Sequence, residues 1–94
     1  MNVATVINKQ IVAMDKWAFI RWGAKDKIAF SNGLKFKTSG LVKWKGYVFV
    51  KYDEGMDLYD IQFFRIRKME LKMDKEVKGV YFDQLIEIID AQVG

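Results

Sequence analysis

The side chains that could exchange protons near neutral pH are all carboxylates: the chain carries twelve Asp and Glu but no histidine and no cysteine. That composition removes the commonest general base, the commonest zinc ligands and the thiol nucleophile together. Asp57 and Asp60 lie three apart around a turn and a strand start, and Asp83, Glu87 and Asp90 recur at helical spacing. Carboxylates so placed could hold Mg²⁺ for hydrolysis. A plainer role fits each better. Asp83, Glu87 and Asp90 fall opposite Phe82 and Ile89, as a solvated helix face does, and Asp57 suits a turn, where Asp bonds nearby backbone. There is no glycine-rich phosphate loop, nucleophile elbow or metal-ligand spacing. A non-enzymatic protein with no metal and no cofactor is expected.

A second chemistry belongs to lysine and arginine. Lys27–Lys51 holds six lysines and no acid, within a chain of formal charge +4. Tyr52–Gly94, by contrast, has ten acids against six bases. Such polarisation suggests an anionic partner for the basic part, or a self-complementary surface for assembly. Lys35, Lys37, Lys43 and Lys45 occupy alternate strand positions, and Tyr47 shares the parity of the last two. Lysines meet phosphates and flat rings stack on bases, while Arg65 and Arg67 could add bidentate phosphate donors from a neighbouring strand. The candidate ligand-binding set is therefore Lys35, Lys37, Lys43, Lys45, Tyr47, Arg65 and Arg67. Trp44 falls on the opposite parity from its flanking lysines and belongs with Phe36 and Val48 in the core. The same lysines would equally serve to solvate a sheet face and guard its edges. The absence of any acid favours binding, since solubility alone is usually served by both signs.

These residues need a scaffold, and the hydrophobic pattern supplies one. Val3, Ile7, Ile11, Met14, Ala18 and Trp22 recur in steps of three and four, which predicts one helix over Asn2–Trp22; Val6, Ala13, Trp17 and Ile20 widen its apolar stripe. Gly23 is placed for a left-handed cap, and Lys16 and Arg21 complement the helix dipole. Strands follow at Lys27–Phe30, Leu34–Thr38, Leu41–Tyr52, Leu58–Phe64 and Lys68–Met73. Asn32-Gly33 predicts a type I′ hairpin turn, Gly46 a bulge or close backbone approach, and Asp53–Gly55 a further turn. Asp74–Gly79 reads as a charged loop. A closing helix over Tyr81–Gln92 places Phe82, Leu85, Ile86, Ile89 and Val93 on one face. Short connections favour antiparallel pairing. The expected fold is α+β: an N-terminal helix, an antiparallel sheet of four to five strands and a C-terminal helix, with both helices on one sheet face.

Ninety-four residues make one domain, 1–94, and 51% hydrophobic content is enough for a core. No stretch approaches the length needed to span a bilayer. No basic start followed by an apolar run opens the chain, so a soluble cytoplasmic protein with no membrane partner is expected. Ile11–Gly23 (IVAMDKWAFIRWG), continued by Ala24 and Lys25, resembles the N-terminal helix of a family of small, uncharacterised proteins of tailed bacteriophages and prophages. Gly33–Tyr52 (GLKFKTSGLVKWKGYVFVKY) and Asp57–Met69 (DLYDIQFFRIRKM), followed by a Val-Tyr-Phe-Asp-Gln-Leu helix start, are similar to it as well. The resemblance implies a phage origin and action inside a bacterial host, and carries no site residues with it. By analogy with small accessory phage proteins it suggests counter-defence: sequestration of a cyclic-oligonucleotide-type immune signal, with a homo-oligomer holding the nucleotide between subunits. The alternatives are a nucleic-acid-binding accessory protein and an anti-CRISPR-like inhibitor of a host defence protein.

Overall fold

The computed structural model describes residues 2–39 and 44–93. Its elements run α1 (Val3–Met14), α2 (Ala18–Arg21), β1 (Lys25–Phe30), β2 (Gly33–Lys37), β3 (Tyr47–Asp53), β4 (Leu58–Arg67), β5 (Glu70–Val80), a 3-10 turn (Phe82–Gln84) and α3 (Leu85–Val93). The strands form one antiparallel sheet in sequence order, β1-β2-β3-β4-β5. This is the expected α+β architecture.

Alternation along the strands sorts the sheet into two faces. Leu34, Phe36, Val48, Val50, Ile61 and Phe63 are buried, together with Ala4, Ile7 and Ile11 of α1 and Leu85, Ile89 and Val93 of α3. Phe36 stacks on Trp22 with ring centroids 5.9 Å apart, and Phe19 meets both rings edge-on. Full burial of one such side chain contributes about 1.5–3 kcal/mol. Among the described residues no helix covers the opposite face. Cross-strand partners share a face, so the rows Ile28–Lys35–Phe49–Gln62–Glu76 and Lys37–Tyr47–Phe64–Met73 both lie there.

The predicted single helix Asn2–Trp22 is two. Asp15 takes an extended conformation, and its carboxylate accepts from the Trp17 amide (3.0 Å), an arrangement that competes locally with helix. The break turns Trp17 and Ile20 outward and leaves Met14 and Ala13 exposed, while Ala18, Phe19 and Trp22 go inward. Arg21 does more than face a helix end: it bridges Asp15 (2.8 Å) and Asp90 of α3 (3.0 Å). Asp90 also accepts from the Trp22 indole (2.6 Å). It is therefore a tie between helices rather than part of a merely solvated face, whereas Asp83 and Glu87 are exposed as expected. The Arg21 hydrogen bond and the Trp17 amide hold the Asp15 carboxyl below the usual carboxylate range. Gly23 has the left-handed conformation expected of it (φ +62°).

The hairpin chemistry differs from the sequence reading. Ser31-Asn32 links β1 and β2 with Phe30 opposite Gly33, and neither turn residue has positive φ, so the turn is not type I′. Gly33 is needed for space instead: a Cβ there would overlap the Val50 carbonyl oxygen. The hairpin with two left-handed residues is the β4–β5 turn, Lys68 (φ +50°) and Met69 (φ +64°), inside the predicted strand Lys68–Met73. A non-glycine residue in that conformation costs about 1–2 kcal/mol, so no sequence signal marked the turn.

Further shifts follow from bulges. Asp74–Gly79 is strand, not loop: β5 continues to Val80 by leaving Asp74 unpaired between Met73 and Lys75 and by placing Gly79 at φ +68°. The predicted strand Leu41–Tyr52 begins only at Tyr47; its residues 41–43 lie outside the described residues, and Trp44–Gly46 are not strand. Gly46 marks a close approach, since a Cβ would overlap the Phe64 carbonyl oxygen. The closing helix begins at Leu85 after the 3-10 turn, which leaves Phe82 exposed rather than on the buried face. In the turn after β3 it is Asp53 that caps, accepting from the Gly55 amide (3.1 Å), while Asp57 sits at φ +56°.

Candidate anion-binding recess and sheet face

Lys37 ends β2, Lys45 precedes β3 and Arg65 lies near the end of β4, so three separate segments bring cations to one end of the sheet. They line a recess of about 310 Å³ with Gly46 and Ile66. Two local devices set its shape. Thr38, fully buried, closes the chain on itself: its amide donates to the Gly46 carbonyl (2.8 Å) and its hydroxyl accepts from the Gly46 amide (3.0 Å). The absent side chain of Gly46 then lets Trp44 and the Phe64 backbone close in.

Arg65 is held in place from two sides. Its guanidinium lies 5.7 Å from the Trp44 ring centroid, and its Nε is 3.2 Å from Asp74 Oδ2. The Nε contact lacks hydrogen-bond geometry, so the attraction is that of charges in proximity. Asp74 also accepts from the Trp44 indole (3.2 Å). The bulge that puts Asp74 out of register is thus what aims its carboxylate at both partners. Trp44 is buried and edge-on to Phe63, as its parity predicted.

Beside the recess, Tyr47 lies between two lysines on the uncovered face. The ammonium groups of Lys35 and Lys37 are 4.9 and 6.0 Å from its ring centroid. Phe49 and Phe64 flank it on β3 and β4, and Phe30 packs on Phe49 at 5.4 Å. Among the described residues no carboxylate pairs with Lys35, Lys37 or Lys45.

Of the predicted site residues, then, Lys37, Lys45 and Arg65 come together, with Lys35 and Tyr47 adjoining on the face. Arg67 sits apart, opposite Glu70 at the hairpin end. Lys43 lies outside the described residues. Lys27, which opened the acid-free stretch, belongs elsewhere: the bulge at Asp26 (φ +53°) turns it under the sheet. There its ammonium lies 3.7 Å from the Phe19 ring centroid and donates to Asn8 (3.2 Å), and burial lowers its pKa. Sequence reasoning missed Gly46 and Ile66 as lining and Asp74 as a positioning group. It also missed Lys51, which lies on the bare face between Gly33 and Asp60.

Among the described residues no three Asp or Glu side chains cluster to hold a metal ion, and no helix is long and apolar enough to cross a membrane. The class that fold and site define is an α+β domain with one bare, aromatic and lysine-bearing sheet face. No family model, no curated protein and no solved structure matches the chain.

Proposed function

We propose that the chain is a non-enzymatic binder of nucleic-acid phosphates, holding a short single strand across the bare sheet face with one phosphate in the Lys37–Lys45–Arg65 recess. The observation that carries this reading is the convergence of three cations, from three segments, on one recess next to the half-buried Tyr47 and Phe64 rings. Phosphate contacts supply affinity and base stacking adds to it without sequence preference. Docking a base on Tyr47 would displace Lys35 and Lys37 from its ring, at about 0.5–1 kcal/mol for each exposed cation–π contact. Stacking on an aromatic side chain returns about 1–3 kcal/mol per base, which offsets that loss and frees both ammonium groups for phosphates. An open face suits an extended strand better than an enclosed mononucleotide.

The second reading is sequestration of a cyclic-oligonucleotide signal between two copies, as a phage counter-defence protein in the bacterial cytoplasm. It is favoured by the exposed Ile28, Phe30, Ile66, Leu71 and Met73 on the same bare face, which a second copy would cover. Fluorescence anisotropy of labelled oligothymidylate tests the first reading. Affinity should fall with salt, the single phosphate in the recess contributing about −0.7 to the log–log slope. Lys37→Glu with Lys45→Glu should weaken it at least tenfold. Salt-independent binding, or an unchanged double variant, would retire the recess. A cyclic dinucleotide that raises the melting temperature where oligothymidylate does nothing would replace the first reading by the second.

A further inference from the structure

At the other end of β3 and β4 lies a larger concavity, made of two adjoining recesses of about 510 and 280 Å³ that share Gln10, Tyr52, Asp57 and Tyr59. Its size falls in the range of roughly 300–1,000 Å³ usual for small-molecule sites. Tyr52 and Tyr59 form its floor with ring centroids 5.6 Å apart. Met56, Tyr81 and Phe82 stand at its rim, each more than half exposed (67%, 59% and 53%). Three such exposed apolar side chains around one opening make a rim of the kind that marks ligand-binding grooves.

The polar groups specify the occupant's charge. Among the described residues no lysine or arginine lines either recess. Asp57 is in no ion pair among the described residues, and its hydrogen-bond donor there is the Tyr52 hydroxyl. The Tyr59 hydroxyl donates to Gln10 Oε1 (2.7 Å). Both phenol groups are thus engaged at their tips, which leaves ring surface, negative at its face, as the walls. The Tyr52 hydroxyl is pushed up to about 12 by its bond to Asp57 first, with the charge of Glu54 adding to the same negative field. Aromatic walls around a single uncompensated carboxylate are the chemistry that holds an organic ammonium group. A phosphate or carboxylate ligand would meet repulsion on entering.

We infer that the Tyr52–Asp57–Tyr59–Tyr81 cleft is a binding site for an alkylated ammonium group, distinct from the basic recess. Asp57 supplies the counter-charge, Tyr52 orients that carboxylate, and Tyr81 and Phe82 close over the methyl groups. This assignment stands or falls independently of nucleic-acid binding.

Calorimetric titration with choline, set against its neutral carbon isostere 3,3-dimethylbutanol, tests it. Choline should bind and the isostere should bind at least tenfold more weakly. Asp57→Asn should weaken choline at least fivefold with the fold retained, because asparagine tolerates the positive φ of this position and its side-chain oxygen can still accept from Tyr52. Tyr81→Ala, which removes an exposed ring, should do the same. N-acetyl trimethyllysine methylamide distinguishes the source: tighter binding than choline assigns the site to a peptide side chain, and equal or weaker binding to a free cation. No choline binding, an isostere that binds equally well, or an Asp57→Asn variant of unchanged affinity would each overturn the assignment.

Discussion

At the Tyr47–Phe64 end of the central strand pair, Lys37, Lys45 and Arg65 surround a recess; at the Asp53–Leu58 end of the same pair, Tyr52, Asp57, Tyr59 and Tyr81 surround another with no cation among the described residues that line it. Tyr47 and Tyr52 are five positions apart on β3, about 17 Å at the rise of an antiparallel strand. One strand pair therefore presents opposite charge at its two ends, separated by about twice the Debye length at physiological salt, so each end is largely screened from the other. The two ends are also built differently. At the basic end the arginine is held by a carboxylate on a bulge and by an indole face. At the aromatic end a carboxylate in a left-handed turn residue is held by a phenol. In each case the positioning group comes from a place where the regular strand pattern breaks.

Changes at one end should leave the other intact, and that separation can be attacked. The largest effect is expected from Arg65→Ala. It removes one cation and leaves the nearby Asp74 carboxylate without its arginine, so oligothymidylate affinity should fall more than tenfold, further than for Lys45→Ala. Anisotropy should also show the salt slope reduced by at most roughly 0.7, the share of the one recess phosphate. Choline binding should not change; a matching loss of choline affinity would mean the two ends are one coupled site.

A smaller effect, confined to the aromatic end, concerns pH. The Tyr52 hydroxyl ionises at about 12 against 10.0 for free tyrosine, chiefly because it donates to Asp57. A raised pKa of this kind means that the bond's contribution to stability is complete below pH 10.0 and is lost as pH rises toward 12. Burial raises Tyr59 as well. In a spectrophotometric titration near 295 nm, Tyr52→Phe should remove the latest ionising phase and leave oligothymidylate binding as it was. Retention of that phase would show that Asp57 is not fixed by Tyr52.

The basic end was partly legible in the sequence because Lys35, Lys37 and Tyr47 lie close along the chain and alternation alone puts them on one face; Lys45, outside the strand, joins them through the closure that Thr38 makes with Gly46. What alternation does not show is which lysine turns away. Lys27 reads like the others, yet the bulge at Asp26 sends it beneath the sheet to Phe19 and Asn8. The fold class was legible too, through the apolar spacing of Ile7 and Ile11 and of Leu85 and Ile89. The bulge at Asp74 and the turn at Lys68-Met69 were not, because no glycine or asparagine marks either one. The aromatic cleft left no local trace at all. Gln10, Tyr52, Asp57, Tyr59, Tyr81 and Phe82 come from α1, the β3–β4 hairpin and the approach to α3. Each alone reads as a helix surface, a strand or a turn residue, and only the tertiary fold makes them neighbours.

The central claim, a phosphate-binding end on an otherwise separate molecule, is tested most directly by mapping amide chemical shifts while oligothymidylate is added. The account predicts perturbations at Lys37, Lys45, Gly46, Tyr47, Arg65 and Ile66, with Tyr52, Asp57, Tyr59 and Tyr81 unmoved. Perturbations centred on the aromatic cleft, or none at saturating oligonucleotide, would contradict it.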